Sequence, residues 1–194
     1  MTKRKWAVFV VIILVFLAVF WLVAGRHQTP PGQPPLADIN QQSLAQLRQE
    51  FNASSDSERV LLLLSPTCPV CVAGTSEVNA VLRRHPRSHV RVFAVWEPIL
   101  PTDWSRPTSV VLHRLSDTRI TQMWDKQHLV ADLVKNSTDG LDPGCCKHDG
   151  VLWDIIAVYP PGAQWTDSLP APELFAGPVV RGAPQWNTKL LQAN

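Results

Sequence analysis

The stretch Val60-Leu61-Leu62-Leu63-Leu64-Ser65-Pro66-Thr67-Cys68-Pro69-Val70-Cys71 holds a strand, a turn and the start of a helix. The five apolar residues are too short a run for a helix and fit a strand buried on both faces. Ser65-Pro66 closes it. Pro69 suits a first helical position, where its missing N–H costs nothing. From Cys71 to Arg84 the spacing predicts a helix, with Val78, Val81 and Leu82 on one face. His85-Pro86 ends that helix, because the residue before a proline is pushed out of the helical region. Val90 to Trp96 is a second apolar run. Strand, Cys-x-x-Cys, helix, strand is a βαβ unit, which requires a right-handed crossover and a parallel strand pair. The expected class is α/β.

A cysteine attacks a disulfide as its thiolate, and an ordinary thiol near pKa 8.5 is mostly protonated at neutral pH. The first turn of a helix offers unpaired N–H groups and partial positive charge. Cys68 stands at that place. Cys71 follows one helical turn later, within reach to resolve a mixed disulfide. A Cys-x-x-Cys pair also occurs in zinc sites, which ordinarily need a second pair or histidines. An inert structural disulfide is the third reading of the pair.

At these residues the chain resembles the thioredoxin superfamily, with Leu62 to Cys71 similar to its first strand and active-site turn. The resemblance spans roughly residues 58 to 166. It implies a thioredoxin-like fold with a central mixed sheet flanked by helices. It also implies a nucleophile at Cys68, a resolving thiol at Cys71, and Thr67, Pro69 and Val70 forming the turn. With its apolar N-terminus and spacer, the chain is similar to membrane-anchored periplasmic thioredoxin-like proteins of the TlpA type. Trp96 to Trp104 and Asp117 to Asp125 resemble stretches of other bacterial members. The superfamily places a cis-proline just before its third core strand. Here His148-Asp149-Gly150 stands before Val151, and Pro143 is well upstream.

The remaining cysteines, Cys145 and Cys146, are adjacent and are followed by Lys147 and His148. Two tight pairs suit redox or metal chemistry better than a dispersed disulfide scaffold. One reading makes Cys145-Cys146 a second redox or resolving pair that exchanges with Cys68-Cys71. Another joins Cys68, Cys71, Cys145, Cys146 and His148 around a soft ion, copper or zinc. A third leaves them packed in a loop. The redox reading needs no cofactor. His27, His85, His89, His113 and His128 show no ligand spacing and fit surface or capping positions. Trp96, Trp104, Trp124 and Trp153 fit core or loop packing. Glu97 and Asp103 tune a thiolate only if they lie close to it; surface positions are the commoner case.

Trp6 to Ala24 is an apolar run free of charge. As a helix it spans roughly 28 Å at about 1.5 Å per residue, close to the hydrocarbon thickness of a bilayer. Lys3, Arg4 and Lys5 precede it and Arg26 follows, so the N-terminus is expected in the cytoplasm and the rest outside. A cleaved signal peptide is the other reading, and it exports the domain equally. Thr29 to Pro35 is a Pro-rich spacer expected to hold the domain off its anchor. The expected layout is a cytoplasmic tip at 1–5, an anchor at 6–24, a linker at 25–39 and a domain at 40–194. The expected place is a bacterial inner membrane, single-pass, with the domain in the periplasm.

Beyond residue 28 there are 14 basic and 16 acidic side chains, which disfavours a phosphate-binding surface and hence nucleic acid. Expected partners are protein thiols or disulfides, the membrane, and a membrane electron donor, because sustained reduction in an oxidising compartment needs one. A soft-metal chaperone or sensor, and a redox-inactive tethered interaction module, are the rival functions. Further elements are expected at Asn40–Asn52, Thr108–Leu115 and Lys126–Lys135 as helices. Val151–Tyr159 and Ala163–Thr166 are expected as strands, with a Pro-rich tail from Ser168.

Overall fold

The computed structural model describes Trp6 and residues 11–16 and 27–192. The expected anchor at 6–24 therefore lies largely outside the described residues. Among those described, no helix is long and apolar enough to cross a membrane.

The chain forms β1 (Ala37–Asp38), α1 (Gln41–Ala53), β2 (Glu58–Leu64), α2 (Pro69–Arg84), β3 (Val90–Trp96), α3 (Ser109–Leu112) and β4 (Ile120–Trp124). It continues with α4 (Leu129–Ser137), β5 (Lys147–His148), β6 (Val151–Leu152), β7 (Ile155–Tyr159), β8 (Leu174–Ala176) and α5 (Val179–Gln192). The main sheet runs β1-β4-β3-β2-β7-β8. The first four of these are parallel, β7 is antiparallel to β2, and β8 is antiparallel to β7. This is a mixed α/β architecture with helices on both faces of a central sheet, and it fits the class expected from the βαβ unit.

β2 sits mid-sheet and every one of its residues is buried. Alternation then sorts its side chains. Val60, Leu62 and Leu64 join one core with α2 and α5, while Leu61 and Leu63 join the other with Phe51, Val130 and Val134. A strand buried on both faces needs no polar residue, which is why the run is continuous. Each such Leu contributes on the order of 2 kcal/mol. Arg59 is also fully buried. Its guanidinium donates to the carbonyls of Ser54, Ser57, Pro160 and Ala163 and lies over the Phe51 ring. Four acceptors and an aromatic face replace the lost water.

Several expectations are corrected. The third strand is broken at Trp153-Asp154, with Asp154 in a left-handed conformation, so β6 pairs with β5 and only β7 joins the main sheet. Residues 163–166 form no strand; Trp165 instead packs edge-on against Phe51. β4 was not expected, and the tail carries both β8 and α5. α5 is fastened to the start of β2, where Glu58 accepts from Trp186 Nε1 and pairs with Lys189. The spacer does not stand off the domain. Gln33 Nε2 donates to the carbonyls of Leu115 and Asp117, Gln33 Oε1 accepts from Gln122, and β1 adds to the sheet edge.

Candidate active site

β2 delivers the chain to the cysteine turn at the C-terminal end of the parallel strands. Cys68 is the N-cap of α2 and Pro69 occupies the first helical turn. The Cys68 sulfur accepts from the backbone N–H of Cys71 at 3.4 Å, and the Cys71 sulfur accepts from the N–H of Ser65 at 3.5 Å. Both cysteines are free thiols and both are buried, whereas Val70 between them is 45% exposed.

The two sulfurs are electrically unlike. A hydrogen bond from the Cys71 thiol lowers the Cys68 pKa to about 6, against an opposing penalty of burial, with the amides of Cys71 and Val70 adding to the stabilisation. The helix N-terminus supplies those amides. Cys71 is pushed upward, first by that same hydrogen bond, which it donates while protonated, and then by burial and the nearby Asp154. These shifts favour the thiolate at Cys68 and the proton on Cys71.

Asp103 organises the turn. Its carboxylate accepts from Ser65 Oγ at 2.6 Å, from Thr67 N–H and Oγ1 at 3.0 and 2.7 Å, and from the N–H groups of Ile99 and Leu100. Thr67 also meets the Thr102 hydroxyl. The loop after β3 thus fixes the turn that presents Cys68. Asp103 is buried, not on the surface, and so is Glu97. Glu97 pairs with His128 Nδ1 at 2.8 Å, which gives that histidine an ion-pair role beyond its capping position. Trp96 and Trp124 are core residues as expected, but Trp104 is 86% exposed.

Asp154 is the group the sequence reading missed. It is buried, stands directly before β7, and accepts from Val179 N–H at 3.0 Å. One of its oxygens and the sulfurs of Cys68 and Cys71 all lie within 4.8 Å of one another. Burial raises its pKa, while the bond from Val179 N–H, and the Cys71 proton that also faces Cys68, oppose the rise. The only signal for it was an acidic residue interrupting an apolar run.

Cys145 and Cys146 are bonded to each other. His148 is half-exposed and faces Asp149 at 3.6 Å. The expected metal set of four cysteines and His148 is therefore not assembled in this state. Among the described residues, Cys68, Cys71 and Asp154 are the donors brought together. Among the described residues the cis peptide bond is Gly177-Pro178, at the entry to α5, and there is none before Val151.

No family model matches the chain, and no curated protein does. Among solved structures, the thioredoxin domain of a thiol-disulfide oxidoreductase from Bacteroides vulgatus is similar, with a TM-score of 0.42 and 13% identity, over 73% of this chain and 83% of that one.

Proposed function

We propose that the chain is a thioredoxin-like thiol–disulfide oxidoreductase acting on protein disulfides, held at the outer face of a bacterial inner membrane by residues 6–24. The observation that carries this reading is the Cys68 sulfur capping the N-terminus of α2, with the Cys71 sulfur and a buried Asp154 oxygen within 4.8 Å, a setting that lowers the Cys68 pKa to about 6. In the reducing direction, Cys68 Sγ attacks a substrate sulfur and the substrate S–S bond breaks. One substrate thiolate leaves and a Cys68 mixed disulfide remains. Asp154 takes the Cys71 proton, and Cys71 Sγ attacks Cys68 Sγ. The second substrate thiolate departs, and Cys68–Cys71 is left oxidised. A membrane donor of two electrons returns the pair to dithiol. The test is a glutathione titration of the full chain, with alkylation and peptide mass. Cys68 and Cys71 are expected to titrate together as a two-electron couple; thiols that stay reduced throughout refute the reading.

A second reading is favoured by one observation, the convergence of two sulfurs and a carboxylate. Such a donor set suits a soft or borderline ion such as copper or zinc. Stoichiometric metal on the reduced protein, lost in Cys68→Ser, together with no disulfide couple, would establish a metal carrier instead.

A further inference from the structure

We infer that the Cys145–Cys146 disulfide is an outer redox station that exchanges directly with the Cys68–Cys71 dithiol, relaying electrons between the buried pair and protein disulfides outside. This rests on the oxidoreductase reading and names the immediate partner of the same site.

The inner sulfurs are the less accessible of the two pairs. Cys68 is 3% exposed and Cys71 is fully buried. Cys145 and Cys146 are only partly buried, with Cys146 packed on the second core, in the segment 139–150 that contains β5. The two pairs share a narrow piece of structure. The Cys145 sulfur and the Asp154 carbonyl both lie 3.1 Å from where a Cβ on Gly177 would stand, so the three residues pack closely. The Asp154 carboxyl reaches from there to Cys68 and Cys71. On the other side, Trp153 N–H donates to the Cys146 carbonyl at 3.0 Å, while the Trp153 side chain packs on the core that contains both inner cysteines.

The glycines of this segment are not crowded. A Cβ at Gly140 would meet nothing, at Gly144 only the Gly177 carbonyl at 4.0 Å, and at Gly150 only Lys135 Nζ at 4.0 Å. Gly140, Gly144, Cys146, Asp149 and Gly150 all have positive φ. The segment is held where the Pro143 carbonyl accepts from Gly177 N–H at 3.0 Å and where β5 pairs with β6, and exchange requires these contacts to open locally.

The exchange balances without another reagent. Cys68 thiolate attacks one sulfur of the outer pair, the Cys145–Cys146 bond breaks, and the other sulfur leaves as thiolate. Cys71, its proton passed to Asp154, attacks Cys68, and the first outer sulfur leaves. The inner pair is oxidised and the outer pair reduced; the proton held by Asp154 goes to one of the two new thiolates. The outer dithiol then reduces an external protein disulfide by the same two steps.

The experiment uses the full chain. Cys71→Ser stalls the exchange at the first step, so a Cys68–Cys145 or Cys68–Cys146 link is expected by peptide mass, at a rate independent of protein concentration. In the wild type, the initial rate of insulin-disulfide reduction is expected to fall at least tenfold on Cys145→Ser/Cys146→Ser, with the Cys68–Cys71 couple still seen by glutathione titration. An intact inner couple with no internal link and an unchanged insulin rate overturns the relay and leaves the oxidoreductase reading standing. Loss of the inner couple in the wild-type protein overturns both. Cys71→Ala, which also stalls the first step, repeats the trapping if the serine variant misfolds.

Discussion

At the residue scale the site depends on proton placement. The ultraviolet absorbance of the Cys68 thiolate is expected to titrate with a midpoint of about 6. Cys71→Ala removes the largest stabilising bond, so the midpoint rises. Asp154→Asn separates two roles of one carboxylate. Its negative charge opposes the Cys68 thiolate, so the midpoint moves down. Its capacity to take the Cys71 proton is lost, so resolution of a mixed disulfide slows by about 100-fold. A carboxylate that only shaped the fold would leave the resolution rate and the titration coupled to stability. The Glu97–His128 pair answers pH differently. Burial raises Glu97 from its ordinary 4.5 to about 7, and the Glu97 bond raises His128. Groups raised by folding stabilise fully at low pH and lose that contribution as pH climbs through the folded value. Melting temperature is therefore expected to fall between about pH 4.5 and pH 7, with Asp154 adding the same sign. Glu97→Gln flattens this fall, which is on the order of 3 kcal/mol, or roughly 6–12 °C. A fall as steep in the variant as in the wild type refutes the assignment.

At the element scale, legibility followed hydrophobic pattern. β2, α2 and β3 were readable because continuous apolar runs and a 3.6-residue stripe flank a marked turn. The start of β2 was not, because Glu58 and Arg59 are charged; only the folded chain shows four carbonyls around one guanidinium and a Trp and a Lys on the carboxylate. α5 does carry a helical period in Val179, Ala183, Trp186 and Leu190, but Gly182 and Pro184 disguise it. Asp154 was invisible for a different reason: its partners are brought to it by tertiary folding. The contact between α2 and α5 can be tested. A Cβ at Gly74 would stand 2.7 Å from Val179 Cβ and 3.1 Å from Val180 N. Gly74→Ala forces the two helices apart, at a cost of about 1–3 kcal/mol and a melting temperature lower by roughly 3–10 °C. Because Val179 N–H holds Asp154, slower mixed-disulfide resolution is expected to accompany the loss of stability. Thermal melting and single-turnover kinetics on the variant check both.

At the scale of the whole molecule, residues 27–39 behave as a strap. His27 Nδ1 meets the Pro107 carbonyl at 2.8 Å and Gln28 N–H donates to Ser109 Oγ at 2.9 Å. A Cβ on Gly32 would strike Thr118 at 2.8 Å, so the strap lies tight on the body and the glycine lets it do so. Only Gly25 and Arg26 separate Ala24 from His27. On the anchored reading, that tether holds the α3 end of the domain close to the lipid surface, and a Pro-rich spacer is too firmly docked to let it swing away. Protease added to spheroplasts should then remove a C-terminal tag while leaving the N-terminal tip. A tag that resists would reverse the topology. The strap itself is tested by two truncations. Starting at His27 keeps every bond of the strap, and its melting temperature should match that of the full chain in detergent. Starting at Asn40 removes three Gln33 bonds and β1, while Gln122 Nε2 keeps the carbonyls of Leu112 and Leu115. At about 1 kcal/mol per bond, with the β1–β4 backbone bonds added, the loss is on the order of 3–5 kcal/mol. The shorter fragment should melt roughly 6–15 °C lower. Equal melting of the two fragments would mean that the segment 27–39 contributes nothing to the fold and serves only as a spacer.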